Sequence, residues 1–106
     1  MSALVARLVK KRSLSEKKNS LVKIRDAGKE IRALADHETV KAYFDDMQKS
    51  YIAKMIACAP NDDDGRRGYA LKLQALLEFK QWTSVTIGMG DAAERSLANM
   101  KDDDDA

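Results

Sequence analysis

The residues best suited to chemistry lie in one stretch, "NDDDGRRGYALKLQALLEFKQW", residues 61–82. Asp62, Asp63 and Asp64 precede Arg66 and Arg67, and glycines flank the two arginines. Such a run can hold a calcium ion, cradle a phosphate or start a helix. A calcium loop of the EF-hand kind puts glycine at its sixth position and a bidentate glutamate at its twelfth. With Gly65 sixth, Pro60 stands first and Leu71 twelfth, and neither can serve as that ligand. A phosphate loop needs four residues between its glycines, then Lys and Ser or Thr. "GRRGYA" has two residues between its glycines and a different ending. The helix start fits. Carboxylates at the positive end of a helix satisfy its unpaired amides, each contributing about 0.3–1 kcal/mol. The stretch therefore reads as a corner, with Pro60 stopping one helix and the next beginning near Asp64 or Gly65. On this reading Gly65 tolerates Ala. Arg66 and Arg67 are candidates for an outward contact with a partner's carboxylate or phosphate.

Other chemistry is sparse. Nucleophilic catalysis needs a nucleophile, a base and an orienting group within reach. The single His37 and the single Cys58 fall on one expected helix, about 30 Å apart at 1.5 Å per residue. Cys58 reads as a small apolar residue, and one cysteine excludes a disulfide framework. Asp36, His37 and Glu38 diverge by about 100° per residue on a helix, so they suit capping better than a shared metal ion. No catalytic residue, metal or cofactor is expected, and the chain reads as non-enzymatic.

Charge is divided along the chain. Residues 1–32 hold ten Lys or Arg against three acids, about +7, and the remainder holds nine against fourteen, about −5. Arg7, Lys10, Lys11, Arg12, Lys17 and Lys18 are the candidate polyanion contacts. No aromatic residue occurs before Tyr43, so stacking on bases is unsupported. The same division allows copies of the chain to pair head to tail. No apolar run reaches the roughly 20 residues of a spanning helix. The basic residues of "MSALVARLVKKR" follow the apolar ones, which argues against a secretory signal.

These residues must be positioned by helices. One Pro and five Gly in 106 residues, with plentiful Ala, Leu, Lys, Arg and Glu, favour helix throughout. Only "TSVTI", residues 83–87, shows β-branched alternation. Leu4, Val5, Leu8 and Val9 share one face of a short amphipathic helix. Ser13 and Glu16 have capping-box spacing, so a second helix is expected to begin at Leu14, with one helix from Ser2 to Leu34 as the alternative. Leu14, Leu21, Ile24, Gly28, Ile31 and Ala35 form a seam of coiled-coil spacing, interrupted by Lys17. Asp36 is expected to cap the next helix. Its stripe is Val40, Phe44, Met47, Tyr51, Met55 and Cys58, widened by Ile52, Ile56 and Ala59. After the corner, Tyr69, Leu73, Leu76 and Leu77 make one stripe and Leu71, Ala75, Phe79 and Trp82 another, so this helix is apolar on two faces. "GMGD" reads as a break, Asp91 as the cap of a short last helix, and "KDDDDA" as a fraying tail.

Residues 51–82, an apolar helix, an acidic turn and then "GRRGYALKLQALLEF", resemble small helical accessory proteins of tailed bacteriophages. The resemblance implies a virion or head-assembly component without enzymatic activity, found in the virion or host cytoplasm. No site residue carries over from it.

The expected architecture is all-α, with three or four helices, extended or loosely bundled, whose apolar faces are buried in an oligomer or against a partner. It divides into a basic helical region over 1–35, a central hairpin over 36–86, and a short helix with an acidic tail over 87–106. Leu71, Leu73, Leu76, Phe79 and Trp82, with Arg66 and Arg67, are the candidate partner interface. The partners expected are other copies of the chain or larger assembly proteins. The alternative is a small basic DNA-binding factor, a packaging or regulatory subunit, acting through residues 7–32.

Overall fold

The computed structural model describes residues 3–105, and these form three α-helices with no strand. They are α1 (Ala3–Ala35), α2 (Glu38–Ala57) and α3 (Asp63–Asp105). The all-α expectation holds, with three helices rather than four.

α1 is one helix through Ser13, so the capping-box spacing there is not used. The local offer of Ser13 and Glu16 is outweighed by a run without Pro, in which each further residue adds a hydrogen bond once the helix is nucleated. The helix ends in a turn where the Asp36 N–H bonds Arg32 O at 2.9 Å and the His37 N–H bonds Leu34 O at 3.2 Å. The cap of α2 is His37, not Asp36. His37 is extended (φ −66°, ψ 127°), and its Nδ1 accepts from the Thr39 N–H at 3.2 Å. Asp36 is held in the closing turn of α1, one residue too early to cap. Cys58 terminates α2 in an extended conformation (φ −60°, ψ 142°). Its thiol donates to Lys54 O at 3.2 Å. Pro60 follows, as the proline rule requires.

α3 runs unbroken through "GMGD", so the expected break and separate last helix do not occur. It also continues through Asp105, past the point where the tail was expected to fray. Gly88 and Gly90 are permitted in the helix interior at about 1 kcal/mol each relative to Ala. The packing of Gly90 accounts for its presence.

Contacts divide the chain into two units. In one, α1 up to Ile31 packs on α3 from Thr86 onward. A Cβ built on Gly28 would lie 3.2 Å from Thr86 O, and one on Gly90 would lie 3.3 Å from Ile24 O, so the helices run antiparallel here. Gly28, Gly90 and Ala93 are buried, while Leu21, Ile24, Ile31, Ile87 and Leu97 are half-buried along the seam. Small residues at the crossing let the backbones approach closely. Lys29 Nζ and Glu94 Oε1 pair at 3.5 Å across it, both well exposed.

The other unit spans Arg32–Val85 and contains the α2–α3 hairpin. Val40, Phe44, Met47, Tyr51 and Met55 of α2 and Tyr69, Leu73, Leu76 and Thr83 of α3 are half-buried. Ile56 does not widen the α2 stripe inward as expected. It is 80% exposed, because it lies about 100° around the helix from Met55. Ala93 is the only buried hydrophobic residue among those described.

Candidate functional site

The corner is built as a helix start. α3 begins at Asp63, one or two residues earlier than expected, with Asp62 as its cap: the Gly65 N–H donates to Asp62 Oδ1 at 2.9 Å. Asp63 and Asp64 occupy the first turn, where the helix dipole favours them. Gly65 has no positive φ. A Cβ there would overlap the Asp62 carboxylate, the movable end of a side chain, so Ala requires that carboxylate to shift.

Arg66 turns onto the corner rather than outward. One of its terminal nitrogens donates to Ala59 O at 2.7 Å, and the other to Pro60 O at 3.0 Å and to the Asp63 carboxylate. It thus ties the end of α2 to the first turn of α3 with charge-assisted hydrogen bonds. Arg67, one residue on, is exposed. Sequence reasoning missed the difference between the two, although Arg66 stands three residues after Asp63, the spacing of an intrahelical ion pair.

His37 and Cys58 stand at opposite ends of α2, so one helix length separates them. Among the described residues no three His, Cys, Asp or Glu side chains gather as the ligands of a metal would.

The expected interface residues divide between two faces of α3. Leu73 and Leu76 are half-buried toward α2. Leu73 and Leu77 line an open groove of about 380 Å³ with Met55, rimmed by Gln74, Glu78 and Gln81. Leu71 (59% exposed), Phe79 (45%) and Trp82 (51%) lie on the other side, and Val85 (51%) extends that row. Val85 stands in the β-branched run of residues 83–87, which the apolar stripes read from the sequence do not reach. Phe79 is the hinge between the faces. Its ring stacks on Phe44 of α2 at 5.5 Å between centroids (21° between planes) and on Trp82 at 5.8 Å (29°). The three stacked rings form a series from Phe44, which Tyr43 also meets edge-on at 5.9 Å, to Trp82, which is 51% exposed. Nearby, Lys54 and Lys72 stand 5.7 and 5.4 Å from the centre of the Tyr69 ring.

The basic candidates Arg7, Lys10, Lys11, Arg12, Lys17 and Lys18 all lie on α1 and are all exposed. At about 100° per residue, five of them fall within roughly 120° of the helix surface, and Arg12 lies on the other side. No helix among the described residues is long and apolar enough to cross a membrane.

No family model, curated protein or solved structure matches this chain.

Proposed function

We propose that the protein is a non-enzymatic structural or assembly component that works by helix-mediated contact with copies of itself or with larger assembly proteins. The resemblance of residues 51–82 points to a bacteriophage particle as its setting. The observation that carries this reading is the imbalance between core and surface. Ala93 is the one buried hydrophobic residue described, while Leu71, Phe79, Trp82 and Val85 line one face of α3 about half exposed.

Magnitudes favour use of this face. Covering the open half of a large aromatic ring removes on the order of 100 Å² from water, worth about 2–3 kcal/mol. Phe79 and Trp82 together, at about 4–6 kcal/mol, reach the lower end of the roughly 4–15 kcal/mol cost of association, and Leu71 and Val85 add to that sum. Arg66 is not assigned to the interface, because its donors already serve the corner.

Sedimentation equilibrium of the full chain tests the proposal. The wild type is expected to self-associate at micromolar concentration, and Phe79→Ser/Trp82→Ser to be monomeric. A wild type that stays monomeric at high concentration with Trp82 shielded from quencher overturns it. The DNA-binding alternative draws on the basic residues of α1 and leaves the α3 face unused. It requires that affinity for duplex DNA fall linearly with the logarithm of salt, and that Lys10, Lys11 and Arg12 changed to Gln flatten that slope.

A further inference from the structure

α1 carries a second apolar arc that faces away from the side packed on α3. Leu21, Ile24, Gly28 and Ile31, which form the seam, fall within roughly 80° of the helix surface. Leu4, Val5 and Leu8 fall within roughly 100°, centred about 170° from that seam. Their exposures are 67%, 43% and 59%, and the described side chains from Ala3 to Ser20 are all exposed. Among the described residues, the antiparallel pairing with α3 does not cover this arc.

The charges around the arc restrict what that is. At about 100° per residue, Arg7, Lys11 and Lys18 border it on one side, Arg12 lies within it one turn beyond Leu8, Glu16, the one acid, stands on the other side, and Lys10 and Lys17 lie behind. A second α1 would bring like charges together. The acidic run Asp102–Asp105 of another copy offers charge but no apolar surface. The exposed face of α3 offers apolar surface, but with Lys72 beside it and Glu78 on it the face carries no net negative charge to meet the cations. Nucleic acid would neutralise the cations and leave Leu4 and Leu8 in water. An anionic bilayer supplies both parts at once, an acyl boundary for the leucines and negative headgroups for the cations.

We propose that residues 3–18 of α1 bind an anionic lipid surface, lying in its plane with Leu4, Val5 and Leu8 at the headgroup–acyl boundary. Each cation near such a surface contributes roughly fivefold in partition. The four basic residues on or beside the arc, Arg7, Lys11, Arg12 and Lys18, fall at the lower end of the range of cluster size that recognises acidic lipid.

Co-sedimentation of the full chain with vesicles of phosphatidylcholine, with and without phosphatidylglycerol, tests this. Binding is expected only with phosphatidylglycerol and should weaken as salt rises. Lys11, Arg12 and Lys18 changed together to Gln should lower partition by about a hundredfold. Leu4→Ser/Leu8→Ser should lower it by at least about tenfold, with unchanged helical circular dichroism. Ile56→Ser, which removes an exposed apolar side chain elsewhere, should leave binding intact. Absence of vesicle binding at low salt overturns the proposal. So does vesicle binding that the leucine changes do not affect, or duplex DNA that displaces the chain from vesicles and binds the leucine variant equally well.

Discussion

Gly28 and Gly90 meet so closely that a Cβ added to either would stand 2.8 Å from the other's Cα. The neighbouring atom is backbone, so no side chain can move aside to make room. Gly28→Ala is therefore expected to destabilise the α1–α3 pairing by about 1–3 kcal/mol, even though alanine is the better helix former. Gly88→Ala makes the contrast, since a Cβ there meets nothing within 4 Å. It should stabilise the chain by about 0.5–1 kcal/mol. Thermal unfolding of the two variants must move in opposite directions. If both stabilise, the close crossing is wrong.

This pair also shows what could be read from the sequence. The seam of Gly28 with Leu21, Ile24 and Ile31 is as expected, because helical spacing survives at short range, whereas Leu14, expected in the same seam, is 47% exposed. Gly90 reads locally as a breaker. Its role depends on a partner far away in the chain, and no local pattern reports that. The same cause produced the supposed start at Asp91, where packing on α1 favours the continuing helix over the cap. At Ser13, where the described side chains are all exposed, the continuing helix alone outweighs the local cap. The acidic start of α3 was legible to within two residues, because the dipole and the proline act locally. The inward turn of Arg66 was not legible, since its acceptors are carbonyls exposed only by the way α2 ends.

At the corner, one interaction underlies two substitutions. Asp62→Ala removes the cap of α3 and should cost about 1 kcal/mol. Gly65→Ala should cost a similar amount, because its methyl group must push the same carboxylate off the Gly65 N–H. The double variant should then cost little more than either change alone. A double-mutant cycle by urea unfolding measures this coupling. Additive costs would show that the carboxylate keeps its hydrogen bond when Ala is present. Calcium or magnesium at moderate salt should not change the midpoint.

The two arginines should separate sharply. Arg66→Gln removes charge-assisted bonds to Ala59 O, Pro60 O and the Asp63 carboxylate, and a loss of about 1–3 kcal/mol is expected. Arg67→Gln should stay within about 0.5 kcal/mol, as surface changes do. Equal effects on denaturant midpoint would mean that Arg66 does not clamp the corner.

His37 offers a similar contrast with its neighbour. Its Nδ1 caps α2, so His37→Ala should cost about 0.5–2 kcal/mol and His37→Asn should recover most of that. Asp36→Ala, which leaves the cap in place, should have the smaller effect. A reversed order in thermal unfolding would restore Asp36 as the cap.

Phe44 and Trp82 sit at the two ends of the ring series, and their substitutions should affect different properties. Phe44 is half-buried and joins α2 to α3 through Phe79. Its replacement by Ala should lower the stability of the dilute chain by about 1–3 kcal/mol, less than for a fully buried phenylalanine. Trp82 is 51% exposed, and its replacement by Ser should lower that stability far less. Concentration then separates the two roles. If the outer face of α3 joins two copies, each tenfold rise in protein adds about 1.4 kcal/mol to the assembled state by mass action. Melting of the wild type should therefore rise with concentration. In Trp82→Ser it should stay flat, while Phe44→Ala should keep a slope from a lower starting point. A wild-type melting temperature independent of concentration, in a chain that sediments as a monomer, would leave the aromatic surface without a second copy to cover it. A slope that survives Trp82→Ser unchanged would place the contact on another face.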